Sequence, residues 1–337
     1  MKSRFMYGLA LLITLVATLS GSLVHAQDEQ REDALGVVWS PDGKWIAVPA
    51  TDGLWMYDTE SPESAPQHYF ADRVIPVVAF DPIRDRMAVY DDDTHQIHII
   101  EPATGEVIVD LPGEEDPFGL ALDLQYSDDS KLLAVAYMET FKLFDAISGQ
   151  ERQEYGHTVM SIVSGIQPGT MIGGQFRGSI AVYDPNDVFA GSAYELDDLT
   201  SFESIYDFVI LRTTPTIEGV ALRGRGLVSF NLTDETSHLF APEYADDVHG
   251  LALNHAADTL AIGMRGQIVL VDLSTESVVN TLSVKESERV FSLAFSPDDS
   301  QLVTLDTSGT IQIWDVATGE VVITWDNFQY AHSQKWG

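Results

Sequence analysis

The sequence predicts an all-β fold, a seven-bladed β-propeller with four antiparallel strands per blade and each blade made from one contiguous repeat. Three observations predict it. A unit of short apolar strands and turn residues recurs with a period of about 43 residues. Seven copies of that unit fill the chain beyond its N-terminal segment. Each copy is apolar on both faces, so it buries them only by stacking against neighbours around an axis.

The N-terminal segment reads as an export signal. Lys2 and Arg4 precede an apolar run from Leu9 to Val16, and Val24-His25-Ala26 has the small residues a signal peptidase needs before its cut. The run is too short for a spanning helix and is followed at once by Gln27-Asp28-Glu29. The expected organisation is a signal peptide at 1–26, a propeller at 27–325 and a C-terminal tail at 326–337. A secreted or periplasmic location follows, with no membrane insertion of the mature chain.

The clearest repeat is the last. It opens with Val290-Phe291-Ser292-Leu293-Ala294-Phe295 and turns at Ser296-Pro297-Asp298-Asp299. Two more strands end at Trp314-Asp315, and Thr318-Gly319-Glu320 leads into Val321-Val322-Ile323-Thr324-Trp325. Ser-Pro-Asp and Thr-Gly-Glu are turn chemistry, with Gly supplying a positive φ. The first copy reads Val37-Val38-Trp39-Ser40-Pro41-Asp42-Gly43, then Trp55-Met56-Tyr57-Asp58. Residues equivalent to Asp315 stand at Asp58, Glu101, Asp145, Asp184, Asn231 and Asp272. Because the last repeat supplies its own outer strand and residues 27–33 are wholly polar, the ring is expected to close by packing of blade one on blade seven.

These residues resemble the WD-repeat family, in the manner of a bacterial-type exported member, and the resemblance covers essentially all of the chain after residue 26. Trp314-Asp315 is the signature dipeptide, and Gly156-His157 stands where the family places Gly-His. The family's His–Asp–Ser/Thr–Trp tetrad is complete in no blade: the last has Thr304 and Trp314 without a Gly-His, the fourth has His157 without the matching Asp. Rigidity is therefore expected from apolar packing of Trp39, Phe80, Tyr126, Leu253 and Phe295 rather than from repeated polar networks.

Composition excludes several functions. The chain has no Cys, so disulfides, thiolate metal sites and thiol redox chemistry are absent. Eighteen basic residues stand against 52 acidic ones, a formal charge of −34 that becomes −36 when Lys2 and Arg4 are removed. Such a field repels nucleic acid and anionic lipid, and attracts cations or basic partners.

The candidate sites are acidic. Loops between second and third strands, and between blades, carry Asp91, Asp92 and Asp93, Glu114, Glu115 and Asp116, Asp197 and Asp198, and Asp246 and Asp247. This rim could meet a partner or hold calcium, although Asp128-Asp129 and Asp298-Asp299 put acid on the opposite face too. Aligned innermost strands place Gly36, Val77, Asp123, Ser161, Asp207, Gly250 and Ser292 at one position. Asp123 and Asp207 there are the candidate metal ligands of the channel; capping of backbone N–H groups is the alternative. His95 and His98 point to opposite faces of a strand and make no chelate. Asn231-Leu232-Thr233 fits a glycosylation acceptor by pattern alone. Thr104-Gly105-Glu106 and Ser148-Gly149-Gln150 are similar to turns of quinoprotein propellers, but a turn explains them fully.

No phosphate loop, nucleophile elbow or zinc helix motif occurs. The expected function is a non-catalytic, monomeric extracytoplasmic scaffold or protein-binding module for a protein or cell-envelope partner. It needs no cofactor, and calcium is the one candidate ion. The alternative is a propeller hydrolase or lactonase with a cation site at the channel mouth. The two differ in whether several polar side chains converge on one point.

Overall fold

The computed structural model describes residues 34–326 apart from 114–119, 157, 166–168, 176–178, 185–192, 196–204, 213–217, 224–225, 232–233, 235, 241–243 and 245–246. Side chains at 193–195, 205–212, 218, 221–223 and 226 also lie outside that description.

Hydrogen bonding groups the strands into seven antiparallel sheets, each taking its strands in sequence order from the innermost outward. The inner strands are Val38–Trp39, Val78–Phe80, Ala121–Tyr126, Val159–Ser164, Ile205–Arg212, Val248–Leu253 and Val290–Phe295. Each lies beside the next, and the seventh lies beside the first. Second strands such as Trp45–Ala50 and Leu132–Tyr137 are buried at every residue because neighbouring blades cover both faces. That is why they read as unbroken apolar runs. Outer strands such as Val107–Leu111 and Val321–Trp325 are exposed at their first two residues and buried only at the last.

The expectation of four antiparallel strands in every blade is corrected, since several blades lack four strands of ordinary length. Only three strands reach five residues in the second blade, whose inner strand is the three-residue Val78–Phe80. The fourth blade likewise has three, with Ala193–Glu195 as a three-residue outer strand. The first keeps only two, between the two-residue Val38–Trp39 and the three-residue Gln67–Tyr69. Proline accounts for much of this. Pro76 and Pro82 flank Val78–Phe80 and Pro66 precedes Gln67, each removing a ladder donor.

Blade one and blade seven share one apolar core. Val37, Trp39, Ile46, Val48 and Tyr57 pack with Val303, Leu305, Ile311, Ile313 and Trp325. Val37 donates its N–H to Ser292 Oγ at 3.0 Å, and Trp325 Nε1–H bonds Pro62 O at 2.9 Å. The ring is thus joined across its ends by described residues from Ala34 onward.

Rigidity does not come from apolar packing alone, which corrects a second expectation. In the first turns, Ser40, Ser127 and Ser296 each donate to the aspartate two residues on, at 2.6, 2.8 and 2.7 Å. Each serine oxygen also accepts the N–H five residues ahead, from Trp45, Leu132 and Gln301 at 2.8, 3.0 and 2.9 Å. In the turns before the outer strands, the aspartates equivalent to Asp315 accept N–H bonds: Asp145 from Ser148 at 2.8 Å, Asp272 from Thr275 at 2.9 Å and Asp315 itself from Thr318 at 2.7 Å. Gly149 and Gly319 close the Asp145 and Asp315 turns at φ of 73° and 72°, Glu276 the Asp272 turn at 49°, and Gly105 the turn after Glu101 at 70°. The family's tetrad survives only as Trp314 Nε1–H on Thr304 Oγ1 at 3.0 Å among the described residues. Two sets of turn networks take its place.

Candidate functional site

The channel wall is shaped by a repeated irregularity. Pairing of inner and second strands shifts register beside Asp123, Ser161, Asp207, Gly250 and Ser292. An extra residue there bends the strand and re-aims the one that follows. This is the aligned position of blades three to seven; in blades one and two the equivalent Gly36 and Val77 precede the short inner strands.

Asp123 uses that place to join blades three and four. Its Oδ2 accepts the N–H of Ile162 at 2.6 Å and its Oδ1 that of Leu124 at 2.7 Å. Ser292 does the same between blades seven and one through Val37. Burial pushes the Asp123 carboxyl up to about 6, against the pull of the Ile162 and Leu124 N–H groups and the Ser161 hydroxyl. Asp207 holds the equivalent register, opposite Leu222, and its side chain is outside the described residues. The structure therefore gives Asp123 a blade-to-blade role, and brings no second described acid to it.

A pH dependence follows. With the folded value near 6 and the unfolded one near 3.8, the folded state holds the proton more tightly. This group then costs stability as pH rises from about 4 to about 6, by about 3 kcal/mol in all. Urea midpoints measured between those limits should fall more steeply in the wild type than in Asp123→Asn. Parallel curves would leave Asp123 without this burden.

The rim divides. Asp91 is fully buried, and so is no part of a solvent-facing surface. It pairs with Arg73 and accepts the N–H groups of Asp93 at 3.0 Å and Thr94 at 3.3 Å. Burial raises its carboxyl, but Thr94 and Arg73 outweigh that and hold it below the usual range. Asp92 is half-buried and shifted upward, by burial first and by its neighbours Asp93 and Asp91 against His95. Asp93 is exposed and takes the Val74 N–H at 3.0 Å. Asp247 accepts from His249 Nε2 at 3.2 Å and from the Arg265 N–H at 3.3 Å. Glu114, Glu115, Asp116, Asp197, Asp198 and Asp246 lie outside the described residues. Among the described residues no group of three or more His, Asp or Glu could hold a metal ion, and no helix is long and apolar enough to cross a membrane.

Sequence reasoning missed one polar cluster. His98 Nδ1 meets Asp110 Oδ1 at 2.6 Å, its Nε2 lies 3.5 Å from Asp91, and its ring stacks on Phe70 with centroids 5.1 Å apart. His98 and Asp110 face each other across two strands, a pairing visible in sequence only once the register is known. His95 turns away to Tyr90 OH at 3.1 Å, so the two histidines share no ligand. Asn231 Oδ1 caps its own turn by accepting the Asp234 N–H at 3.0 Å.

Carboxylates serve the fold on both faces. On the first-turn face, carboxylates stitch one blade to the next: Asp81 to Ser130 and Asp299 to the N–H groups of His255 and Ala256 at 2.7 and 2.9 Å. Asp298, bonded to Ser300 and Ser296, is drawn down to about 2. Exposed charge occurs on both faces: Arg84 and Lys131 are 39% and 71% exposed beside the first turns, and Arg73, Arg265 and Lys285 are 43%, 47% and 74% exposed on the opposite face.

Comparison with known proteins agrees with this architecture. A model of the family described as the anaphase-promoting complex subunit 4 WD40 domain matches residues 251–337. No curated protein sequence matches significantly. Among solved structures, the β-propeller domain of Myceliophteria thermophila Cps50 (Swd1) superposes with a TM-score of 0.68 at 14% identity, covering 84% of this chain and 97% of that one. At that identity the likeness concerns the fold alone: the chain forms a seven-bladed, WD40-like β-propeller.

Proposed function

We propose that this chain is an exported, non-catalytic docking module of bacterial type, which loses residues 1–26 and binds a protein of the cell envelope as a monomer. The face bearing the second-to-third-strand loops is the docking face. What supports this reading is the second-to-third-strand face itself, where the closed ring holds Asp93, Arg265 and Lys285 on exposed loops. A rigid closed ring presenting loops is the arrangement through which propellers engage partners. The acidic composition adds long-range steering toward a basic partner.

The mature chain, immobilised and exposed to envelope extract with and without a chelator, tests this. A saturable partner is expected whose capture falls at least fivefold with Asp92→Asn/Asp93→Asn and is unchanged by Asp128→Asn on the other face. Equal capture by both variants, or turnover of a small ester by the chain, would contradict the reading.

A further inference from the structure

One place on the docking face breaks the acidic pattern. Arg265 follows the second strand of blade six, Thr259–Met264, and Arg289 precedes the inner strand of blade seven. They face each other in an isolated antiparallel bridge. Their backbone is fixed on both sides: Gly266 N–H bonds Glu288 O at 2.8 Å, Arg289 N–H bonds Thr307 Oγ1 at 3.1 Å, and Thr307 N–H bonds Arg289 O at 3.0 Å. Directly opposed residues carry their side chains on the same face with Cβ atoms roughly 5 Å apart, where like charges repel.

In a chain with 52 acidic residues, only one long contact to this pair is seen among the described residues. Among the described residues Arg265 reaches only Asp247 Oδ1, at 3.9 Å. No carboxylate among the described residues lies within ion-pair distance of Arg289. The acids nearby are committed elsewhere. Glu288 accepts from Thr307 Oγ1 and Ser287 Oγ, both at 2.8 Å, and from Lys285 Nζ at 3.4 Å. Asp306 accepts the N–H groups of Ser308 at 2.8 Å and Thr310 at 3.2 Å, and Asp247 serves His249. Exposed Glu286 packs its backbone under Gly266 and makes no ion pair with either arginine. His249, the extra residue of the blade-six bulge, registers the local field. Burial lowers its imidazole, Asp247 opposes that, and Arg289 and Arg265 push it further down.

We propose that Arg265 and Arg289 form a binding site for an oxyanion, a carboxylate or phosphate group presented at the mouth between blades six and seven. Two guanidinium forks held on a rigid bridge suit bidentate recognition of such a group, and a bound anion removes the repulsion that the empty pair carries. The sequence repeats the Arg-Gly dipeptide of Arg265-Gly266 at the corresponding strand junctions of blades four and five, as Arg177-Gly178 and Arg225-Gly226. Those two arginines lie outside the described residues and are not part of the site. The proposal deepens the docking reading and rests on it for its biological use. Anion binding by the isolated chain is tested separately from capture of a partner, so either can fail alone.

The mature chain is titrated at pH 7.5 and fixed ionic strength with inorganic phosphate, with succinate or with chloride alone, following the thermal midpoint and the His249 imidazole signals by NMR. Phosphate or succinate should raise the midpoint saturably beyond chloride and shift the His249 signals, and the stronger of the two names the class of group. Arg265→Gln/Arg289→Gln should weaken that response at least tenfold, whereas Lys131→Gln/Arg152→Gln should retain it. In chloride alone the arginine variant should melt no lower than the wild type, because its loss relieves repulsion. If the double variant does not fold, Arg265→Gln alone, at an exposed position, gives the same test. Equal responses to all three salts, or an arginine variant that keeps the wild-type response, would overturn the site.

Discussion

A chain ending at Thr318-Gly319 should fail to fold at room temperature, while one beginning at Asp33 should melt as one beginning at Gln27 does. The stretch from Glu320 supplies Val321–Trp325, which pairs along the Trp314 strand with Ile311 opposite Trp325 and Ile313 opposite Ile323. Its loss bares that edge and opens the seam between blades one and seven. Trp325 is the anchor: it is buried, its ring lies 4.6 Å from that of Tyr57, and its Nε1–H bonds Pro62 O. Trp325→Ala alone should cost about 3–5 kcal/mol. Trp325→Phe should recover most of that, lacking about 1 kcal/mol for the hydrogen bond. Urea unfolding measures both. A Trp325→Ala chain with a wild-type midpoint would mean that the ring closes without this seam.

The second large effect is expected at Asp81. Its carboxylate is buried and accepts the N–H groups of Ile83 and Arg84, both at 2.9 Å, Arg86 Nε–H at 2.8 Å, and the Ser130 hydroxyl from the next blade. Arg84 Nη1 extends the joint to Ser130 O at 2.8 Å. Asp81→Ala leaves the largely buried Arg86 guanidinium without its carboxylate, a loss of about 3–5 kcal/mol. The pH signature has the opposite sign to that of Asp123. Burial raises the Asp81 carboxyl, but Ser130, Ile83, Arg84 and Arg86 together bring it below the ordinary value. Its stabilisation is therefore complete above about pH 4 and is lost as pH falls through the lower folded value. Acid unfolding should be shallower in Asp81→Asn than in the wild type. An unchanged acid limb would remove Asp81 from the account.

The repeat was legible because turn chemistry is local. Ser40-Pro41-Asp42 and Ser296-Pro297-Asp298 fall into the same turn 256 residues apart, with the same serine and aspartate bonds. The strand lengths were less legible, because Pro76 and Pro82 shorten a strand whose apolar Val77-Val78-Ala79-Phe80 still reads as a full one. The joints between blades were hidden for another reason: Asp81 with Ser130, Asp123 with Ile162 and Ser292 with Val37 are distant in sequence, and nothing local marks them. Asp91 illustrates the cost. Its place in an acidic turn suggests solvent, but Arg73 arrives from the preceding connection and covers it. The charge total was equally deceptive, since capped aspartates such as Asp145, Asp272 and Asp315 are part of the fold's own hydrogen bonding. What the acidic total concealed was the pair of arginines opposite each other at the mouth of blades six and seven.

If one face docks a partner while the other only holds the ring together, hydrogen–deuterium exchange of the chain from Gln27, free and with a captured partner, should separate the two. Protection on binding is expected at residues 92–95, 265–267 and 285–289, with exchange unchanged at the capped first turns 40–45, 127–132 and 296–301. Protection confined to those first turns, with the opposite loops exchanging as in the free chain, would contradict the account.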